Sequence, residues 1–129
     1  MVLYDHLAGR WLVSQLQYNT TFTNNAQCVA ISTSSDATGS YNRYEFDFGI
    51  NFPDYPKFSV WPDAYYNSIN VFPPHGFIGA EACALDRNAM LAGAPAVAIY
   101  FQPASIVSSL LPSDLDGKHY PQEDHRTTM

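Results

Sequence analysis

The chain has 129 residues, 47% of them hydrophobic and 15% aromatic but only 14% charged, enough apolar material for one packed domain and too much for a disordered chain. A net charge of -6 opposes the phosphate contacts that drive nucleic-acid binding, so nucleic acid is excluded as the expected partner. No apolar run approaches the ~18 residues that suggest a bilayer span, and Met1 to His6 lack the basic and apolar regions of a signal peptide, so neither membrane insertion nor a leader is expected.

In chain order, Val2-Leu3-Tyr4 already has strand character, an abrupt start that suggests an interior slice of a longer protein. Further runs rich in β-branched and aromatic residues follow at Trp11 to Tyr18, Gln27 to Thr33, Tyr41 to Phe48, Lys57 to Trp61, Tyr65 to Phe72 and Val97 to Phe101. Ala8-Gly9, Asn24-Asn25, Asp36 to Gly39, Pro53 to Pro56, Pro62-Asp63, Pro73 to Gly76 and Gly93 to Pro95 separate them with turn chemistry. Leu85 to Leu91 is the one helical candidate, capped by Asp86 and ended by Gly93, and is read as a decorated loop. From Ser113 the sequence turns polar, and residues 113–129 are expected to form a tail.

Two halves repeat the same order of features. A short strand ending in aspartate precedes an aromatic strand, then a strand carrying cysteine, then an outer strand. Asp5 and Asp63 stand 58 positions apart, and Cys28 and Cys83 stand 55 apart. Four antiparallel strands per half is the pattern of a propeller blade, so residues 1–112 are expected to form two four-stranded antiparallel β-propeller-like blades of an all-β fold. Two blades leave faces and edges bare, so completion by homo-oligomerisation or by further chain is expected. The competing reading is an ordinary β-sandwich of the same strand count. Blade-equivalent cysteines would sit too far apart to bridge, which favours free thiols.

Tyr4 to Trp11, Cys28 to Tyr44, Asp54 to Tyr66 and Cys83 to Gly93 together resemble a family of large, poorly characterised secreted bacterial proteins with propeller-like domains. The resemblance runs from about Val2 to Leu115 and is most specific at Asp54 to Tyr66 and at Asp36 to Tyr41. It implies an extracellular or cell-surface setting among polysaccharides, and it carries over no catalytic residue. Asp36 to Tyr41 also resembles the aspartate-containing hairpin turns of sialidase-like propellers, which would make Asp36 a fold marker.

Glycoside hydrolysis needs two carboxyl groups about 5 to 10 Å apart, and Asp5, Asp54 and Asp63 are the candidates if the chain is a hydrolase, with Glu81 as a further carboxylate. A recurring aspartate before an aromatic strand is more often a turn cap. Flat sugar faces pack on aromatic rings, so the first expectation is carbohydrate binding, of a polysaccharide or oligosaccharide, by Trp11, Trp61, Tyr65 and Tyr66 with Glu81. Tyr41 and Tyr44 belong to the same aromatic set. Tyr65 and Tyr66 must face opposite ways, so one of them is core. His6, His75, His119 and His125 lack ligand spacing, so no zinc site or other cofactor is expected, calcium on Asp5 and Asp63 remaining the one cation weighed. No Gly-x-Ser-x-Gly elbow marks a serine esterase, and a purely structural role within a larger propeller is the third reading. Asn19-Thr20-Thr21 is a glycosylation sequon of little weight.

Overall fold

The computed structural model describes residues 1–103 and 106–115; most of the proposed tail, residues 116–129, lies outside the described residues. The fold is all-β. Strands β1 (Val2–Asp5), β2 (Arg10–Tyr18), β3 (Asn25–Ser32) and β4 (Tyr41–Gly49) form one antiparallel meander. Strands β5 (Phe52–Val60), β6 (Tyr65–Phe72), β7 (Gly79–Leu85) and β8 (Ala98–Phe101) form a second, with helix α1 (Arg87–Ala92) between β7 and β8.

Alternation along the strands decides which residues meet between the sheets. Leu12, Val29, Ile31 and Phe46 project from the first sheet onto Phe58, Val60, Tyr65 and Leu85 of the second, and Met90 of α1 closes the cluster. Full burial of each such side chain is worth about 1.5–3 kcal/mol. A smaller cluster of Ile69, Val71 and Cys83 lies toward the other end of the second sheet.

Several elements differ from the sequence expectation for identifiable reasons. Strand β5 begins at Phe52 and runs through Pro53 and Pro56, residues that read as turn formers. Both are tolerated because β5 is the edge of its sheet, where missing N–H donors break no ladder, and a bulge between Asp54 and Lys57 absorbs the irregularity. Strand β7 starts earlier than its cysteine segment suggested, at Gly79, because Gly79 to Ala82 pair with Val71 to Ser68 of β6 although they carry no β-branched or aromatic residue. The decorated loop is a real helix: Asp86 Oδ1 accepts from the Ala89 amide at 3.0 Å, and Gly93 ends it at φ 69°.

Ser113, Asp114 and Leu115 are tied to the second sheet, contrary to their assignment to the tail. Asp114 Oδ1 accepts from the Val60 amide at 3.0 Å, Ser113 O accepts from Trp61 Nε1 at 2.8 Å, and Leu115 is buried. The two-sheet repeat is real, but the residue equivalences within it are not. Cys28 pairs across the ladder with Gln15 on the outer face of its sheet, whereas Cys83 pairs with Asn67 on the inner face. Both thiols are free. Asp5 is the last residue of β1 and fully buried, whereas Asp63 is exposed in the β5–β6 turn.

Asp5 is the point at which the two sheets are pinned together. Its Oδ1 accepts from the Leu7 and Ala8 amides, both at 3.0 Å, and from an Arg87 terminal nitrogen at 3.2 Å. Its Oδ2 accepts from Tyr65 Oη and Arg87 Nε, both at 2.8 Å. Burial alone would raise this carboxyl, but the Arg87 and Tyr65 hydrogen bonds, the Ala8 amide and the Arg87 charge outweigh it and hold it below its ordinary value. Removing one member of a buried pair strands the other, so Asp5→Ala and Arg87→Ala should each cost about 3–5 kcal/mol in urea unfolding, and the double variant less than their sum. Because the folded value is lowered, this contribution is complete above the unfolded carboxylate value of about 3.9 and fades as pH falls through the folded one. An Asp5→Ala protein should lack that part of the acid destabilisation seen in a pH series of unfolding curves.

Candidate functional site

The β5–β6 turn and the outer face of the second sheet carry the site. Trp61 follows Val60 at the end of β5, and its amide donates to Ala64 O at 3.1 Å, closing a tight turn over Pro62 and Asp63. Arg87, already committed to Asp5, also donates to Pro62 O at 3.2 Å and so holds this turn against the inter-sheet pin. Strand alternation then sends Tyr65 inward and Tyr66 outward, opposite Ser59. Ser68 and Ala82 lie beside them on the same outer face.

The segment from Leu110 to Ser113 crosses over that face. Ser68 Oγ donates to Leu110 O, and the Trp61 indole donates to Ser113 O. Between segment and sheet lies a hollow of about 450 Å³ walled by Trp61, Tyr66 and the Leu110 to Ser113 backbone and side chains, with Ser59, Ser68 and Ala82 as its floor. A second hollow of about 330 Å³ continues past Tyr66 to Asp63 and Asp86. Tyr66 therefore stands between two adjoining depressions.

Tyr66 is fixed there by a 2.7 Å hydrogen bond from its hydroxyl to Asp63 Oδ2. That bond, reinforced by burial and by the Asp63 charge, raises the phenol above its ordinary value and keeps it protonated. Ser59 is fully buried, and its Oγ has no partner among the described residues. The arrangement offers two aromatic surfaces and the exposed carboxylates of Asp63 and Asp86.

The other residues proposed from sequence are dispersed. Trp11 lies on the outer face of the first sheet, packed on Tyr4 at 4.8 Å, with its indole donating to Ser35 O at 3.0 Å. Tyr65 is wholly buried and belongs to the core and the pin, so it is corrected from a ligand-binding residue to a structural one. Glu81 pairs with Ile69 on the inner face, away from the hollow, where burial raises its carboxyl. Tyr44 directs its hydroxyl to Ala94 O at 3.0 Å behind α1, and Tyr41 donates to Ala37 O at 2.8 Å. Asp36 caps its turn by accepting from the Thr38 amide and hydroxyl, both at 2.8 Å.

The three carboxylates proposed for hydrolysis do not form a pair. Asp5 is saturated with donors, one of them a guanidinium, and offers neither a proton nor a lone pair to a substrate or to calcium. Asp54 lies near the start of β5 and Asp63 beyond its end, and at ~3.3 Å per strand residue they are roughly 20 Å apart, beyond the ~5–10 Å that glycoside hydrolysis requires. Among the described residues, no three His, Cys, Asp or Glu side chains gather as a metal-ligand set.

What sequence reasoning missed is the Leu110 to Ser113 wall, whose only signal was a short apolar run, and the unpartnered Ser59. An unsatisfied buried hydroxyl is a stability cost of about 1–3 kcal/mol, so Ser59→Ala should raise the urea midpoint of the unliganded protein rather than lower it. Comparisons with known proteins found no family model, no curated protein and no solved structure that matches the chain.

Proposed function

We propose that the chain is a carbohydrate-binding unit of propeller-like architecture, working outside the cell or at its surface, with its ligand lying along the outer face of the second sheet. The observation that carries this reading is the meeting of Trp61, Tyr66 and Asp63 in adjoining hollows over a floor of small residues. Two aromatic surfaces suit the apolar faces of successive sugar rings, and a carboxylate beside them suits the ring hydroxyls. A net charge of -6 favours neutral over anionic saccharides. The secreted setting rests on the resemblance of Asp54 to Tyr66 and its companion segments to secreted propeller-like proteins.

A glycan array with neutral and acidic members tests this reading. Neutral glycans should be retained, with Trp61→Ala and Tyr66→Ala each weakening binding about fivefold and Trp61→Phe weakening it less, since loss of one stacked ring is worth roughly 1 kcal/mol. Retention of no neutral glycan, or binding unchanged in the Trp61→Ala/Tyr66→Ala double variant, would count against it.

A second reading, a structural unit that associates with copies of itself, is favoured by the apolar residues left on both outer faces. Val2, Tyr4 and Val13 are exposed on the first sheet, and Ile99 and Phe101 of edge strand β8 are 70% and 66% exposed. Sedimentation equilibrium should then give a mass above 14.4 kDa that falls toward it in a Tyr4→Ser/Val13→Ser variant. A single-chain mass at every concentration would remove self-association from consideration.

A further inference from the structure

The end of the fold opposite the Asp5 pin carries a separate hollow of about 570 Å³, formed where the β2–β3 loop, the β4–β5 turn and the β6–β7 loop come together. Three phenylalanines enclose it. Phe52 and Phe72 face one another across the β5–β6 ladder. Phe22 stands perpendicular to Phe52, with centroids 5.4 Å apart and planes at 90°. Tyr18 stacks on Phe22 at 5.2 Å and meets Phe52 edge-on at 5.6 Å, and Phe77 packs on Phe72 at 5.2 Å. The one charged residue lining the hollow is Asp54.

The backbone that presents Phe22 is held against its own preference. Phe22 has φ 54°, a left-handed conformation that costs a bulky residue of order 1 kcal/mol or more and persists only where its surroundings impose it. Asn25 imposes it: fully buried, it donates from Nδ2 to Phe22 O and to Gly49 O, both at 2.8 Å, and so ties the β2–β3 loop to the β4–β5 turn. The Phe22 amide also donates to Asn19 O at 3.0 Å. Yet the ring so positioned is 49% exposed. The same hydrogen bonds set the ring against Tyr18 and Phe52 at the rim of the hollow.

We propose that this hollow is an aromatic cage for a methylated ammonium cation, a quaternary ammonium of the choline type. The faces of aromatic rings are negative, and a hollow lined by three phenylalanines and one carboxylate favours a positive charge. Ile50, Pro73 and Pro74 complete the lining with apolar contacts that suit a cation clothed in methyl groups. An anion is opposed by Asp54, and a neutral apolar guest would desolvate Asp54 without compensating its charge.

Titrating isotopically labelled protein with choline and with its neutral isostere 3,3-dimethylbutan-1-ol, followed by amide chemical shifts, tests the cage. Choline should shift amides of residues 19–24, 50–54 and 72–77 saturably and bind about tenfold more tightly than the isostere. Asp54→Asn, a change at a half-exposed position that leaves the packing intact, should remove that preference while leaving isostere binding in place. Equal binding of choline and isostere, absence of shifts with choline, or an unaltered preference in Asp54→Asn would each overturn the proposal. The saccharide groove reports through different amides, those of residues 59–68 and 110–113, so either site can fail without the other.

Discussion

A single buried carboxylate organises one end of the molecule. Asp5 terminates β1, Tyr65 opens β6 and Arg87 opens α1, and the three meet with no solvent between them and four of the five donors to Asp5 within 3.0 Å. A buried ion pair gains little over an apolar substitute unless its remaining lone pairs are satisfied. Here they are satisfied by two amides and a phenol. Arg87 reaches this position because Asp86 and Gly93 fix both ends of a six-residue helix that would not persist alone. The guanidinium then has one direction left, toward Pro62 O, and that bond places the β5–β6 turn. The location of Trp61, Asp63 and Tyr66 therefore follows from a bond network that contains none of them. An aspartate that looks catalytic by its position in the sequence is instead the reason the neighbouring groove has a shape.

The strands that were legible in the sequence are those whose side chains announce them. Trp11 to Tyr18, Tyr41 to Phe48 and Tyr65 to Phe72 are rich in aromatic and branched apolar residues, and all three are strands within a residue of the expected bounds. Gly79, Ala80 and Ala82 carry no strand signature, although they lie in the β6–β7 ladder and Ala80 also donates its amide to Val107 O at 2.8 Å. Pro53 and Pro56 suggested a turn because propensity does not know that a strand is an edge. The repeat was legible as two meanders of four strands and misleading as a residue alignment. The β1–β2 and β5–β6 turns are both four residues long, so the ladder equivalent of Asp5 is Val60 rather than Asp63, and the Gln15–Cys28 and Asn67–Cys83 pairs fall on opposite faces of their sheets, so similar sequence offsets do not yield equal faces.

Of the proposed binding residues, sequence alone could pair Trp61 with Tyr66 only through alternation, and alternation did separate Tyr66 from the buried Tyr65. It could not exclude Trp11, because assigning Trp11 and Trp61 to different sheets requires the topology. Nor could it find Phe22 or Phe72. These sit at the ends of elements among turn residues, where a hydrophobic side chain has no periodic partner to identify it. Their significance is carried by a backbone angle and by ring orientations, neither of which has a sequence signature.

The interior is divided in a way that distinguishes the two ends. The larger apolar cluster, with Leu12, Ile31, Tyr65 and Met90, adjoins the pin, and the smaller one, with Ile69 and Val71, adjoins the phenylalanine hollow. Between them Gln27 and Asn67 face a narrow space beside Phe46 and Cys83, and Gln27 Oε1 and Asn67 Oδ1 have no partners among the described residues. Each such oxygen subtracts about 1–3 kcal/mol from the cohesion that apolar contact would supply there. Tight adhesion between the sheets is thus concentrated at the Asp5 end, where an ion pair and a helix reinforce it. At the other end the sheets are joined by aromatic edges and by the two hydrogen bonds of Asn25. The hollow beside Trp61 and Tyr66 therefore lies at the firmly joined end, and the one lined by Phe22, Phe52 and Phe72 at the end joined by loops.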